Sequence, residues 1–197
     1  MDMTRKTKVV RTTTETDICI KIDLDGKGSS ILDTGVPFLD HMLTLWSKHG
    51  MFDLEIGAQG DTGIDDHHTV EDIGICLGQA IAAALGDKAG IRRYGTAFAP
   101  MDEALAMVVL DISGRAFLSF DVNMPAQKVG DFDTELVEEF LRALAVNAQI
   151  TLHVKLLAGK NTHHIIEAVF KGLGRAVKEA VSIDERIDGV MSTKGKL

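Results

Sequence analysis

One internal repeat constrains the fold of this chain more than any other feature of its sequence. Residues 67–85 read HHTVEDIGICLGQAIAAAL and residues 163–181 read HHIIEAVFKGLGRAVKEAV, with both histidines, the glutamate and the Leu-Gly pair identical at an offset of 96 residues. Apolar residues recur at spacings of three and four in both segments, which predicts a helix in each. A single repeat in a chain of 197 residues indicates a duplicated domain, since a solenoid would need at least three copies.

The segments that precede each repeated helix also correspond, in the order strands, helix, strand. Runs of β-branched and apolar residues predict strands at 13–24, 28–32, 52–58, 103–112, 115–122 and 150–157. Helical patterns cover residues 36–49 and 134–147. Asp66 and Thr162 occupy the expected N-cap positions of the repeated helices.

These patterns predict an internally duplicated α+β fold, with strands, helix, strand and helix in each half. The helices are expected to be sandwiched between two small β-sheets. Residues 1–90 would form the first structural half, and residues 91–197 the second half of the same compact unit. Residues 86–99 are expected to join the halves.

Both repeated helices begin with His-His-x-x-Glu, a pattern that can bind metal ions. One histidine and one glutamate four residues apart share a helix face, but such a pair could equally form a surface hydrogen bond. Adjacent histidines point about 100° apart around a helix, so they would serve two ions rather than one. The equivalent position in the preceding helices is His41 in one half and Glu139 in the other.

Two pseudo-symmetric metal sites follow from this pairing. The predicted ligands are His67, Glu71, His164 and Glu139 at one ion, and His163, Glu167, His68 and His41 at the other. Imidazole mixed with carboxylate suits Mn, Fe or Zn better than Ca or Mg.

Basic side chains near these motifs could bind an anionic substrate. Arg115 follows a Ser-Gly turn, and Lys171 lies one turn beyond the second glutamate on the same helix face. Arg93 could capture phosphate or simply be solvated. His49 could interact with a helix C-terminus or with substrate. His153 lies in a strand pattern, where a packed or solvated strand face is the better interpretation than a ligand.

Charge and composition exclude several classes of partner. The net charge of −8 argues against nucleic acid, because phosphate backbones need a clustered basic surface. The longest apolar run, residues 80–85, is too short to span a bilayer, and residues 1–5 lack the apolar core of a secretion signal. Two cysteines do not make a disulfide framework. We therefore expect a cytoplasmic protein that binds neither nucleic acid nor membrane.

Three segments resemble the signatures of the imidazoleglycerol-phosphate dehydratase family: GVPFLDHML at 35–43, DDHHTVED at 65–72 and NTHHIIEA at 161–168. The segment STKG at 192–195 is similar to the C-terminal substrate-binding segment of that family. The resemblance covers essentially the whole chain. It implies a lyase that dehydrates D-erythro-imidazoleglycerol 3-phosphate to imidazoleacetol phosphate in histidine biosynthesis. It also implies a homo-oligomer of 24 subunits with active sites at the interfaces.

The resemblance further implies roles for individual residues. Two Mn²⁺ ions per active site would bind the imidazole as imidazolate, held by His41, His67, His68, Glu71, His163, His164 and Glu167. The family often has a histidine at the eighth ligand position, where this chain has Glu139. The catalytic carboxylates would be Glu15, as the acid or base near the substrate, with Glu71 and Glu167. The phosphate would be held by His49, Arg93, Arg115, Lys171, Ser192 and Lys194. Glu103, the counterpart of Glu15 at an offset of 88 residues, is not expected to face the substrate.

Two other functions fit the residues alone. A dinuclear metallohydrolase of phosphate esters would share the metals but would use metal-bound hydroxide as its nucleophile. A metal-storage or metal-sensing protein would explain the histidines, but not the basic residues Arg115 and Lys171 or the tail.

Overall fold

The first half of the chain forms a four-stranded sheet and two helices. The computed structural model describes residues 5–197. The elements are β1 (Lys6–Thr12), β2 (Thr16–Asp23), β3 (Ser30–Asp33), α1 (Pro37–Gly50), β4 (Asp53–Gly60) and α2 (His67–Leu85). The sheet has the strand order β1-β2-β4-β3, in which only β3 and β4 are parallel neighbours.

The second half repeats this arrangement. Its elements are β5 (Tyr94–Met101), β6 (Ala104–Asp111), β7 (Phe117–Asp121), β8 (Lys128–Val129), β9 (Phe132–Asp133), α3 (Leu136–Ala148), β10 (Thr151–Ala158) and α4 (Thr162–Val181). The sheet order β5-β6-β10-β7 matches that of the first sheet, and β7 and β10 are parallel as β3 and β4 are. The short hairpin β8–β9 is an addition to this half.

The helices pack across the two halves and form the layer between the sheets. Helix α2 lies on the first sheet and contacts α3, whereas α4 lies on the second sheet and contacts α1. Buried side chains of both sheets and all four helices form one hydrophobic cluster. The predicted α+β fold is confirmed. The division near residue 90 into two halves of one unit stays a prediction.

The repeated glycines of α2 and α4 have a packing reason. A Cβ atom at Gly78 would lie 2.7 Å from the carbonyl oxygen of Leu144 in α3, and one at Gly174 would lie 2.5 Å from that of Trp46 in α1. Neither contact can be accommodated without separating the helices. The duplication therefore preserves the same close helix approach in both halves.

Besides the two short strands of the β8–β9 hairpin, two strands of the main sheets were not predicted. Strand β1 lies at the edge of its sheet and has no fully buried residue. Its sequence therefore contains no long hydrophobic run that would predict a strand. Strand β5 contains Gly95 and Pro100, which are typical of a loop, and it lies where residues 86–99 were expected to be only a joint. A Cβ atom at Gly95 would lie 1.8 Å from the carbonyl oxygen of Ala176, so this glycine permits close contact between β5 and α4.

Several predicted boundaries also differ. The strand expected at 13–24 begins at Thr16, because residues 13–15 form the turn after β1. The predicted N-cap Thr162 is wrong, since the side chain of Asn161 caps α4 by accepting hydrogen bonds from two backbone N–H groups. Asp66 occupies the N-cap position of α2 but makes no capping hydrogen bond.

No helix within residues 5–197 has the length and apolarity needed to cross a membrane. Both cysteines are free, with Cys76 buried and Cys19 half-buried. The prediction about a secretion signal concerns residues 1–5, and residues 1–4 lie outside the part of the chain that the structure describes.

Candidate active site

The packing of α1 against α4 brings together three potential metal ligands from the two halves of the chain. His41 Nε2 lies 2.9 Å from Glu167 Oε1, and His163 Nε2 lies 3.1 Å from the same oxygen. The three ligand atoms lie within 4.8 Å of one another. Within residues 5–197 this is the one group of three such side chains whose ligand atoms converge.

Glu167 is an ionised carboxylate in this group. Burial alone would raise its pKa, but hydrogen bonds from Lys171, His41 and His163 lower the pKa to about 2. Lys171 Nζ donates to Glu167 Oε2 at 2.7 Å, and only 9% of the Glu167 side chain is exposed. The carboxylate is therefore charged at neutral pH and already faces cationic or donating groups.

Aromatic contacts restrict the two histidine rings. The ring of Phe38 meets that of His163 edge-on at 5.3 Å and that of His41 at 6.5 Å, and it also packs on Phe132 at 5.1 Å. Phe132 belongs to the β8–β9 hairpin, so the extra hairpin of the second half forms a wall beside the group. A cavity of about 430 Å³ opens there, lined by Phe38, His41 and the hairpin.

Two imidazoles and one carboxylate fit a divalent transition metal. Ionised carboxylate and imidazole are the ligands expected for Mn, Fe or Zn. Three ligands from one chain leave coordination positions open for other groups. We call this group, His41 with His163 and Glu167, the triad.

The equivalent residues of the other half do not converge in the same way. His67, Glu71 and Glu139 are half-buried on α2 and α3, but they form no such group among the described residues. In the triad His41 is hydrogen-bonded to Glu167. The position equivalent to His41 holds Glu139, and two carboxylates cannot form such a bond with each other when both are ionised.

The second histidine of each His-His pair lies apart from the triad and contacts a carboxylate. His68 Nδ1 lies 2.9 Å from Asp61 Oδ2, and His164 Nδ1 lies 2.8 Å from Glu103 Oε2. The hydrogen bond to Asp61 raises the pKa of His68, and the bond to Glu103 raises the pKa of His164. A single chain therefore does not assemble either of the predicted sets of four ligands.

Glu103 is exposed, as its counterpart Glu15 is, but hydrogen bonds tie it to the start of α4. Besides meeting His164, it accepts hydrogen bonds from the backbone N–H groups of Lys160 at 3.1 Å and Asn161 at 2.7 Å. Hydrogen bonds from His164 and then Asn161 are the largest causes that lower the pKa of Glu103 to about 2.

Glu15 lies in the turn between β1 and β2, with its carboxylate half exposed. Its Oε2 is 3.9 Å from His68 Nδ1, so the turn reaches the start of α2. Buried Asp72 of α2 holds this hairpin by accepting hydrogen bonds from Thr16 and Arg11. Glu15 is therefore an available carboxylate at a fixed place beside the His-His end of α2.

The expected phosphate-binding residues form two groups. In the first, Arg93 makes a two-point contact with Asp111 at 2.6 and 3.0 Å and donates to the carbonyl oxygen of Met191 at 2.9 Å. Arg115 lies 3.7 Å from Asp111 with 67% of its side chain exposed. In the adjoining tail, the Ser192 hydroxyl accepts a hydrogen bond from the backbone N–H of Lys194 at 3.2 Å.

The second group lies beside the triad and contains Lys171 and His49. Burial, followed by the charges of Lys171 and Arg175, lowers the pKa of His49, which favours its neutral form. His153, by contrast, lies exposed on β10 with its ring 5.8 Å from that of Phe117, as expected for a residue of a strand face.

Sequence reasoning missed three carboxylates that hold site residues: Asp61, Glu103 and Asp111. Glu103 carried a signal, its repeat relation to Glu15. Asp61 carries no signal beyond its position shortly before a helix. Their partners lie in other elements, at separations that no local pattern encodes.

Comparisons with known proteins show which family the chain belongs to. Residues 34–177 match the family model described as imidazoleglycerol-phosphate dehydratase. The imidazoleglycerol-phosphate dehydratases of Acetivibrio thermocellus and Geobacillus kaustophilus are each 62% identical to this chain over 195 residues, covering 99% of it and 100% of the relative.

Solved structures are similar over nearly the full chain. The crystal structure of imidazoleglycerol-phosphate dehydratase from Staphylococcus aureus has a TM-score of 0.83 and 49% identity, covering 91% of this chain and 99% of that one. The Pyrococcus furiosus structure, in complex with (S)-C348, has a TM-score of 0.83 and 40% identity, covering 96% and 100%. The chain belongs to the imidazoleglycerol-phosphate dehydratase family.

Proposed function

We infer that this chain is a hydro-lyase that dehydrates imidazoleglycerol phosphate to imidazoleacetol phosphate in histidine biosynthesis. The observation that carries this inference is the convergence of His41, His163 and Glu167 from two halves of a chain that belongs to the dehydratase family. A catalytic pocket needs a metal-ligand set, a free acid or base and anion-binding groups. The carboxylate of Glu15 and the cation of Lys171 lie near the helix starts that carry the metal ligands, whereas Arg93 lies at the far end of α4, where its backbone N–H donates to Ala180.

We propose that the triad holds one of two Mn²⁺ ions per active site, and that His67, Glu71 and Glu139 take part in holding the other. A bound metal ion would supply positive charge beside the imidazole ring and so favour loss of its N–H proton. His68 and His164 would complete the two sites from neighbouring subunits, because their rings lie apart from the triad in their own chain. An assembly of 24 identical subunits is the oligomer proposed. The cytoplasmic location stays a prediction of the sequence.

Glu15 is the proposed acid or base. The reaction removes a hydroxyl group next to the imidazole ring and a weakly acidic proton from the neighbouring carbon, and a positioned carboxylate can move such a proton. Glu167 is less suited to this role, since its carboxylate already accepts hydrogen bonds from His41, His163 and Lys171. If Glu15 proves dispensable, Glu71 and Glu167 are the next candidates.

The two basic groups have different proposed roles towards the phosphate. Arg115 and Lys194 are exposed and can meet an anion directly. The guanidinium group of Arg93 already binds Asp111 and the carbonyl oxygen of Met191, so Arg93 would also hold the C-terminal segment that contains Ser192 and Lys194 in place. Lys171, His49 and Ser192 complete the proposed set.

An assay with imidazoleglycerol phosphate tests the function. His163→Ala removes a triad ligand, and His153→Ala removes an exposed histidine of a strand face as a matched control. We expect formation of imidazoleacetol phosphate to be lost with His163→Ala and retained with His153→Ala. Release of inorganic phosphate without imidazoleacetol phosphate would instead indicate a phosphatase and overturn the inference.

A further inference from the structure

Glu103 and Asp61 occupy equivalent roles although they do not occupy equivalent positions in the repeat. Glu103 lies in the turn between β5 and β6, whereas Asp61 follows β4 directly. Each places a carboxylate oxygen within 2.9 Å of the Nδ1 atom of the second histidine in a His-His pair. Inheritance from one ancestral half would have kept the same element, so this recurrence indicates a shared requirement.

An ionised carboxylate accepts hydrogen bonds and cannot donate them. The imidazole nitrogen that faces it must therefore carry the proton, which in both rings is Nδ1. In the neutral ring the other nitrogen, Nε2, then presents a lone pair. Asp102 is 3.8 Å from Nε2 of His164, which is too far for a hydrogen bond.

We propose that Glu103 and Asp61 are positioning residues that hold His164 and His68 in the tautomer protonated at Nδ1, with Nε2 directed to the metal ion. Carboxylates that accept the second ring N–H of a metal-binding histidine fix its orientation and raise its basicity. The inference rests on the proposed function, since it requires both histidines to bind metal.

The same contacts distinguish the two counterpart carboxylates, Glu103 and Glu15. Glu103 and Glu15 are counterparts at the turns of the two strand pairs, but Glu103 is 2.8 Å from its histidine and Glu15 is 3.9 Å from His68. In the first half Asp61 makes the close contact instead. Glu15 is thereby left half exposed and available for proton transfer.

Glu103→Gln distinguishes the effect of Glu103 on the His164 tautomer from its hydrogen bonds to the backbone at the start of α4. The amide oxygen can still accept the hydrogen bonds of Lys160 and Asn161, whereas the amide NH₂ facing His164 can only donate. The ring proton is then driven to Nε2, the nitrogen assigned to the metal. Glu55→Gln is the matched control, because Glu55 is an exposed glutamate of β4 that forms an ion pair with Lys21 of β2.

The experiment titrates metal-stripped full-length protein with Mn²⁺ and measures the free ion by electron paramagnetic resonance. We expect Glu103→Gln to raise the dissociation constant of the affected sites about 10- to 100-fold. Glu55→Gln should stay within about twofold of wild type, and both variants should keep the wild-type circular dichroism spectrum. If wild type binds Mn²⁺ and Glu103→Gln binds it equally well, the positioning role is wrong. If wild type binds no Mn²⁺, the proposed metal site itself fails.

A second measurement tests the histidine tautomers in the metal-free protein. Nitrogen-15 NMR of histidine-labelled, metal-free wild type, at a pH where the rings are neutral, reports which nitrogen carries the proton. Two resonance pairs should show protonation at Nδ1, and loss of one pair in His164→Gln would assign it. Protonation of His164 at Nε2 in the wild type would overturn the proposal independently of any metal measurement.

Discussion

Gly174→Ala should destabilise the protein although it adds a better helix former. Gly174 lies in the interior of α4, where alanine is favoured over glycine by about 1 kcal/mol. The added Cβ atom would lie 2.5 Å from the Trp46 carbonyl oxygen, 3.1 Å from the Gly50 nitrogen and 3.3 Å from the Trp46 carbonyl carbon. All three are backbone atoms of α1, so no side chain can turn aside to make room.

The magnitude follows from these two opposing effects. Ordinary contact begins near 3.4 Å, so the two helices would have to separate locally by about 0.9 Å. Overpacking of this kind costs about 1–3 kcal/mol, and a backbone neighbour favours the upper part of that range. After the gain in helix propensity is subtracted, we expect a loss of about 1–2 kcal/mol in the free energy of unfolding. This corresponds to a change of roughly 5- to 30-fold in the ratio of folded to unfolded protein.

Urea unfolding of the metal-free protein, followed by circular dichroism and by the fluorescence of the single tryptophan, measures this loss. Gly57→Ala is the control, because nothing lies within 4 Å of a Cβ atom placed there. Its free energy of unfolding should change by less than about 0.5 kcal/mol. Since α1 carries His41 and α4 carries His163, Gly174→Ala should also weaken Mn²⁺ binding. A Gly174→Ala variant as stable as wild type would refute the packing argument.

Three further predictions concern the site. Glu15→Gln should reduce turnover by about 10²- to 10⁴-fold with metal content unchanged, and normal turnover would exclude Glu15 as the acid or base. Chelation should convert one large species into smaller ones in light scattering, since ligands shared between subunits couple metal binding to assembly. A fully active monomer would contradict shared sites. Arg115→Ala should raise the KM for the phosphorylated substrate about 10-fold or more, as expected for the loss of a charged hydrogen bond.

The helices could be predicted from the sequence more completely than the strands. Helices α2 and α4 carry long apolar periodicity, and close helix packing accounts for their repeated glycines. The edge strands β1 and β5 were not predicted because tertiary contacts, and not a local sequence pattern, determine them. Strand β1 is stabilised by its pairing with β2, and β5 contains a glycine that its close contact with α4 explains.

The same distinction applies to the candidate site. The ligands of the triad could be predicted from the sequence, because His163 and Glu167 lie in the repeated His-His-x-x-Glu motif and His41 lies in the GVPFLDHML segment. The carboxylates Asp61 and Glu103 lie outside any motif, and they reach their histidines only through the folding of loops onto helix starts. Which nitrogen of a histidine is free depends on such contacts, and residue spacing does not encode it.

The central claim is that this chain dehydrates imidazoleglycerol phosphate with metal held by the triad and its pseudo-symmetric counterpart. The most direct measurement adds Mn²⁺ stepwise to exhaustively stripped protein and records bound metal and imidazoleacetol phosphate formation in the same samples. We predict that turnover is absent without metal, rises with bound Mn²⁺ and saturates at two ions per active site, and that His163→Ala shows no such rise. Full turnover in the metal-free protein, or none when the sites are filled, would contradict the account.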